Sequence, residues 1–250
     1  MPHPFPPVES FSGNFKNPVD YWVVKENTTP SATGAVITFT TTDGNQDLLY
    51  APIVERQGAT SNNGTVAFTF QHILSKVKFS FKNGYNASAA TIKVKNIKIT
   101  NPYKTGEVAL AADATWREQA VAEDFTLNFG MATDAEETAD VKENVEVAYA
   151  YGKTYESQNE RLLIPGNKEW EISFVVELLV SGQKIDEYEH TAKATIDFQP
   201  GHSYDINAEI TASNIDPDHA QEPIEFTATM TDWSAAEDKN ATINNNTANN

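Results

Sequence analysis

Apolar residues fall on alternate positions in run after run of this chain, and that spacing constrains its fold more than any motif does. Side chains of a strand point alternately to its two faces, so a period of two reads as strands buried on one side. The last such run places Ile224, Phe226, Ala228 and Met230 on one face and reaches Trp233 before a polar tail. An all-β protein is expected, with its information carried by strand faces rather than by a catalytic motif. At 250 residues and 40% hydrophobic content the chain can bury a real core, and such a length commonly divides between two all-β domains.

Residues 1–35 are rich in Pro, Asn, Ser and Gly. Pro2, Pro4, Pro6 and Pro7 cannot donate to a central ladder, so no good first strand is expected there. The first convincing runs are 36–42 and 48–54. Val66, Phe68 and Phe70 then share one parity, while Val77, Phe79 and Phe81 share the other. A single strand over 65–82 would span about 60 Å, so the flip reads as a bulge or a change of sheet. A similar flip separates Ile92 and Val94 from Ile97 and Ile99. It predicts a bulge near Asn96, with Lys93, Lys95 and Lys98 facing water.

Residues 111–124 lose the alternation and mix alanine with charge, which marks a junction with room for a short helix. The expected division is a β-sandwich domain over 1–115 that lacks its first strand, a second over 116–235, and a polar, disordered tail over 236–250. Downstream, Phe125, Leu127 and Phe129 alternate, 134–143 reads as a solvated acidic loop, and Val145, Val147, Tyr149 and Tyr151 resume the pattern. Trp170, Ile172, Phe174, Val176 and Leu178 form the longest alternating face, the expected centre of the second core. Residues 181–184 are expected to close one antiparallel hairpin, and Pro200 with Gly201 a second, joining 192–198 to 204–210.

Charge and composition exclude several functions. With 35 acidic against 18 basic residues the formal charge is -17, which opposes nucleic acid and anionic membrane surfaces as partners. The absence of cysteine removes disulfides, thiolate metal sites and cysteine nucleophiles together. No stretch approaches the roughly 20 apolar residues of a membrane-spanning helix. The start, MPHPFPPVES, has neither the charged nor the apolar region of a signal peptide, so the chain either stays inside or is a processed form.

No catalytic or metal constellation stands out. His3, His72, His190, His202 and His219 lie in no nucleophile context, and there is no GxSxG. His72 shares parity with Phe70 and Leu74, which favours a hydrogen-bonded core imidazole at a bend over a catalytic base. Asp216, Asp218 and His219 are too few for a calcium site of about 6 to 8 oxygens and read as an acidic turn. Asp134, Glu136, Glu137 and Asp140 lack the glycine and spacing of an EF-hand loop. Tyr21, Trp22, Trp116, Tyr151 and Tyr155 could stack on sugars, although burial is the commoner fate of such residues. Asn27, Asn63, Asn86, Asn240 and Asn245 occupy N-x-Ser/Thr positions, which an Asn/Thr-rich chain produces by chance. The catalytic, cofactor-binding and metal sets are therefore expected to be empty, and no cofactor is expected.

Several runs together resemble one family. These are Tyr21 with Trp22, QDLLYAP, FTFQHILSKVKFSF, IKVKNIKITNPYKTGEVAL, LLIPGN, FQPGHSYDINAEI and IEFTATMTDW, in that order from Tyr21 to Trp233. They resemble the fimbrillin family of Bacteroidales, the subunits of type V pili and related cell-surface adhesins. The resemblance implies two transthyretin-like antiparallel β-sandwich domains in tandem and no enzymatic activity. It also implies export as a lipoprotein, so that membrane contact comes only through a lipid anchor on a precursor. Proteolytic removal of an N-terminal strand would leave a groove that a strand of another subunit fills. The implied location is the bacterial cell surface, and the implied partners are other pilin subunits and host or bacterial surface proteins or glycans. The chain departs from the family precursor in lacking a lipid-attachment cysteine and in a short N-terminal part, as a trimmed chain would.

From the residues, the expected strand-acceptor groove lies in the N-terminal domain and is lined by Phe68, Phe70, Phe79 and Phe81, an inward surplus of phenylalanine. Arg56, in VERQGATSNNG, is the candidate processing site; Arg117 and Arg161 are less loop-like. The competing reading is a monomeric surface module that binds carbohydrate or protein.

Overall fold

The alternating run around Trp170 becomes one of the two longest strands of the protein. The structure, a computed structural model, describes residues 36–50, 70–86, 90–109, 115–134, 149–215 and 222–233. Its elements are β1 (Val36–Thr40), β2 (Leu49–Tyr50), β3 (Gln71–His72), β4 (Ser75–Asn83), β5 (Ala90–Ile99), β6 (Tyr103–Ala109), β7 (Thr115–Val121) and β8 (Leu127–Gly130). There follow β9 (Ala132–Asp134), β10 (Thr154–Ser157), β11 (Arg161–Leu163), β12 (Gly166–Val180), β13 (Gln183–Phe198), β14 (His202–Ile210), the one-turn helix α1 (Ala212–Ile215) and β15 (Phe226–Asp232). The protein is all-β, as the period-two pattern requires.

Two sheets form a sandwich. One has the order β13-β12-β5-β8; the other runs β15-β14-β4-β10-β9, with β11 also paired to β4. Their inner faces meet through Phe81 and Phe174 (5.2 Å between ring centres), Phe79 and Phe129 (4.8 Å), and Phe198 and Tyr204 (4.8 Å). Trp170 is fully buried at this interface, edge-on to Phe198 and to Tyr103, and donates its indole N–H to the Ile196 carbonyl. A second, smaller cluster of Phe39, Leu48, Tyr50, Ile73, Leu74, Val108 and Ile164 sits between the three-stranded sheet β1-β6-β7 and the β2–β3 pair.

The parity flip in β5 is a bulge. Asn96 takes φ 54°, and the register against β12 slips between Ser173 and Val175, so Ile92, Val94, Ile97 and Ile99 are all fully buried. The flip between Phe70 and Val77 is a change of sheet: β3 pairs with β2, whereas β4 enters the main sandwich. Residues 181–184 close the β12–β13 hairpin as expected, with Ser181 at φ 49° and Gly182 at φ 79°, the left-handed pair of a tight type I′ turn.

Other expectations need correction. Strands β13 and β14 do not form a hairpin, because Phe198 and Tyr204 both face the core from opposite sheets, and Pro200–Gly201 carries the chain across the sandwich. Beyond that turn β14 runs parallel to β4 (Ile206 opposite Phe79) and antiparallel to β15. Residues 115–121 form a strand rather than a helix; its alternation is weak because it has little cover, with only Trp116 and Gln119 half-buried along it. Strand pairs also span the expected 115/116 division: β5 lies between β12 and β8, and β4 beside β14.

The lysines expected in water are half-buried instead. Lys95 is bonded to the Glu177 carboxylate, and Lys184 lies 3.4 Å from the same oxygen. Burial resists ionisation of Glu177, but these two ammonium groups outweigh it and hold the carboxyl below its ordinary 4.5. A carboxyl with a lowered folded pKa contributes stability that is present above 4.5 and is lost as pH falls through the folded value. Glu177→Gln is accordingly expected to flatten the fall in melting temperature between about pH 5 and 3, which a calorimetric pH series would read directly. An unchanged acid slope would show that the pair is energetically silent.

Candidate functional site

Sheet count creates the candidate site. The main path of the β4 sheet holds five strands and the opposing sheet four, so among the described residues the opposing sheet covers the inner face of edge strand β15 only at Phe226, whose ring meets Phe174 at 5.8 Å. Ile224 is buried just before β15 and Phe226 half-buried, but Ala228 is exposed and Met230 is 54% exposed on the same face. The opposite wall shows the same gap. On the inward face of β13, Tyr188 and His190 are buried, Ala192, Ala194 and Ile196 are only half-buried, and Phe198 is buried again.

Between the two walls lies a groove of about 720 Å³, bounded by 191–197 of β13, by 223–225 just before β15, and by Phe226 and Ala228 of β15. Its floor carries Ala192, Ala194, Ile196, Ile224, Phe226 and Ala228; its rim carries Thr191, Thr195, Lys193, Asp197 and Glu225. Each wall is also a sheet edge. Among the described residues β13 pairs only with β12, and β15 only with β14. A row of unpaired backbone N–H and C=O groups beside an apolar trough is the arrangement that accepts an added strand.

The phenylalanines expected to line a groove are placed differently. Phe79 and Phe81 are fully buried beneath Phe129, Phe174 and Phe226, Phe70 is 37% exposed next to β3, and Phe68 lies outside the described residues. Arg56, the candidate processing site, also lies outside them, as do Asp216, Asp218, His219, Tyr21, Trp22, the 135–148 stretch and the 236–250 tail. The alternating run from Ile224 to Met230 was the sequence signal for the groove, but periodicity cannot tell which of its residues the partner sheet fails to cover.

Several other chemistry-bearing residues among the described ones make packing and hydrogen-bond contacts. His72 bonds through Nδ1 to Asp47 (2.7 Å) and stacks on Trp233, 3.8 Å between ring centres, so it is the hydrogen-bonded imidazole at a bend that its parity predicts. His190 stacks on Phe174 with Nε2 unpartnered, and burial lowers its proton affinity. Burial pushes Lys168 down to about 8, while its ammonium rests over the rings of Tyr103 (4.3 Å) and Trp170 (4.4 Å). Of the described aromatic candidates for sugar stacking, Tyr155 is buried against Tyr149, Trp116 is half-buried and donates to the Ile73 carbonyl, and only Tyr151 is mostly exposed. No group of three or more His, Asp or Glu side chains suited to a metal exists among the described residues.

Comparison with known proteins points the same way as the fold. A family model described as fimbrillin-like matches residues 21–233. Among solved structures, a fimbrial protein from Bacteroides vulgatus is 15% identical over 80% of this chain and 68% of its own, with a TM-score of 0.56, a likeness of fold. A candidate cell adhesion protein from Bacteroides uniformis is 16% identical over 83% of this chain and 69% of its own, with a TM-score of 0.43. Among curated protein sequences, none matches this one.

Proposed function

Since the chain belongs to the fimbrillin-like family, whose members are fimbrial and adhesion proteins, we propose that it is a subunit of a cell-surface fimbria, in the stalk or at the tip, that joins its neighbours by strand complementation. The observation that carries this reading is the groove between β13 and β15, where two unpaired edges flank an uncovered apolar floor. A strand entering there hydrogen-bonds to an edge along its backbone and sets alternate side chains on the floor. The partners are other pilin subunits and, for adhesion, surface proteins or glycans of a host or of other bacteria. Export through a lipid-anchored precursor and cleavage at Arg56 belong to the same proposal, although that cleavage would remove β1 and β2, which pair with β6 and β3 and not with the walls of this groove.

Light scattering on the protein concentrated together with the other subunits of its fimbria, with gels run before and after boiling, tests it. Strand-complemented polymers give ladders that survive detergent until boiled. Ala194→Arg fills the floor of the groove with a long charged side chain and is expected to abolish those ladders while the monomer melts within about 3 °C of the unaltered chain. Ladders that persist in this variant would show that assembly uses another surface. A single monomer peak for the unaltered chain, together with a ligand-dependent rise in melting temperature, would instead support a stand-alone binding module.

A further inference from the structure

We infer that the β13–β15 groove takes an extended segment of a different, cationic subunit rather than a strand from a second copy of this chain; the inference rests on reading that groove as a strand acceptor. Charge on the rim carries it. Among the described residues Lys193 is the one cation lining the groove, and it is engaged by Glu169 at 3.0 Å. Asp197 and Glu225 on the rim, with Glu189 and Glu222 next to the lining segments in sequence, make no ion pair among the described residues. An incoming strand that sets alternate side chains on the floor must set the others outward, alongside these carboxylates. Basic outward residues meet complementary charge there, and acidic ones meet repulsion. A second copy carries the same formal charge of -17 over its whole length, which opposes close association of two copies at low ionic strength.

The floor fixes the other half of the partner's pattern. Alanine at 192, 194 and 228 leaves width between the walls, whereas Ile196 and Phe226 narrow it. The matching segment therefore carries large aliphatic or aromatic residues on its inward positions where the floor is alanine, and a smaller one where it meets Ile196.

Titrating the full chain with four synthetic nine-residue peptides tests the inference by fluorescence anisotropy. Three carry leucine on alternate positions with lysine, serine or glutamate between; the fourth has the lysine peptide's composition with its leucines grouped together. The lysine peptide is expected to bind about tenfold tighter than the glutamate peptide at 50 mM salt, and that ratio to shrink towards about twofold at 300 mM. The double substitution Asp197→Asn and Glu225→Gln is expected to remove most of the advantage. The grouped peptide is expected not to bind. Equal binding of the lysine and glutamate peptides would overturn the cationic partner and leave the acceptor groove standing. Ladders formed by the chain alone that Ala194→Arg abolishes would also overturn it, in favour of a second copy. If neither peptides nor copies engage the groove, the acceptor reading falls with it.

Discussion

Replacing Phe81 with alanine is expected to lower the stability of the isolated chain by about 3–5 kcal/mol, the usual cost of emptying a fully buried phenylalanine site. The side chain has no exposure, and its ring meets Phe174 at 5.2 Å, Phe226 at 6.2 Å and, along the same strand, Phe79 at 6.2 Å. Loss of the ring leaves a hole between two sheets that hydrogen-bonded ladders hold apart, so collapse can recover little of the lost contact. Phe70→Ala provides the contrast. At 37% exposure that residue has little cover to lose, and its removal is expected to cost no more than about 0.5 kcal/mol. Urea unfolding followed by fluorescence measures both. A Phe81→Ala variant that unfolds at the unaltered midpoint but fails to assemble would mean that Phe81 faces a groove in solution, as its inward parity alone allows.

That contrast also shows how far the sequence can be read. Period-two spacing identifies which residues of a strand share a face, and here it placed Phe79 and Phe81 on an inward face, located the bulge at Asn96 and marked β12 as the centre of a core. What it cannot supply is the identity of the opposing sheet. Nothing local distinguishes Phe81, fully buried against Phe174, from Met230, 54% exposed at the sheet edge, because both sit on alternating apolar faces. The same limit explains the second hairpin expected at Pro200–Gly201. A tight turn between two apolar runs is equally compatible with a return along one sheet and a step to the other, and only the burial of both Phe198 and Tyr204 decides between them. The weak pattern of β7 failed for the opposite reason: a strand with most side chains in water has no periodicity to show. An acceptor groove was an expectation of the family resemblance, whereas the groove between β13 and β15 was not legible, since it arises from a mismatch in strand number between two sheets built from distant segments.

Gly201→Val is expected to cost about 3 kcal/mol and to loosen the wall of that groove from a distance. Gly201 sits at φ +71°, where a side chain costs about 1–2 kcal/mol from left-handed backbone alone. A Cβ there would also lie 2.9 Å from the His72 carbonyl oxygen, which is backbone and cannot swing aside. The glycine is tied in both directions: its N–H donates to the Leu74 carbonyl, and its own carbonyl accepts from Trp233 N–H, each at 2.9 Å. Relieving the contact stretches one of these bonds, at about 1 kcal/mol apiece, or lifts His72 from its stack on Trp233. Trp233 follows the last residue of β15, where Asp232 also meets His202 at 3.2 Å, so the strain is delivered to the end of the strand that walls the groove. Gly152→Ala separates the two causes, because Gly152 has φ +78° with no atom within 4 Å of its Cβ position and is expected to lose only about 1 kcal/mol. Hydrogen exchange should then show faster exchange for β15 amides in Gly201→Val and unchanged exchange there in Gly152→Ala. Equal losses in the two variants would mean that the junction around His72 yields freely and does not brace β15.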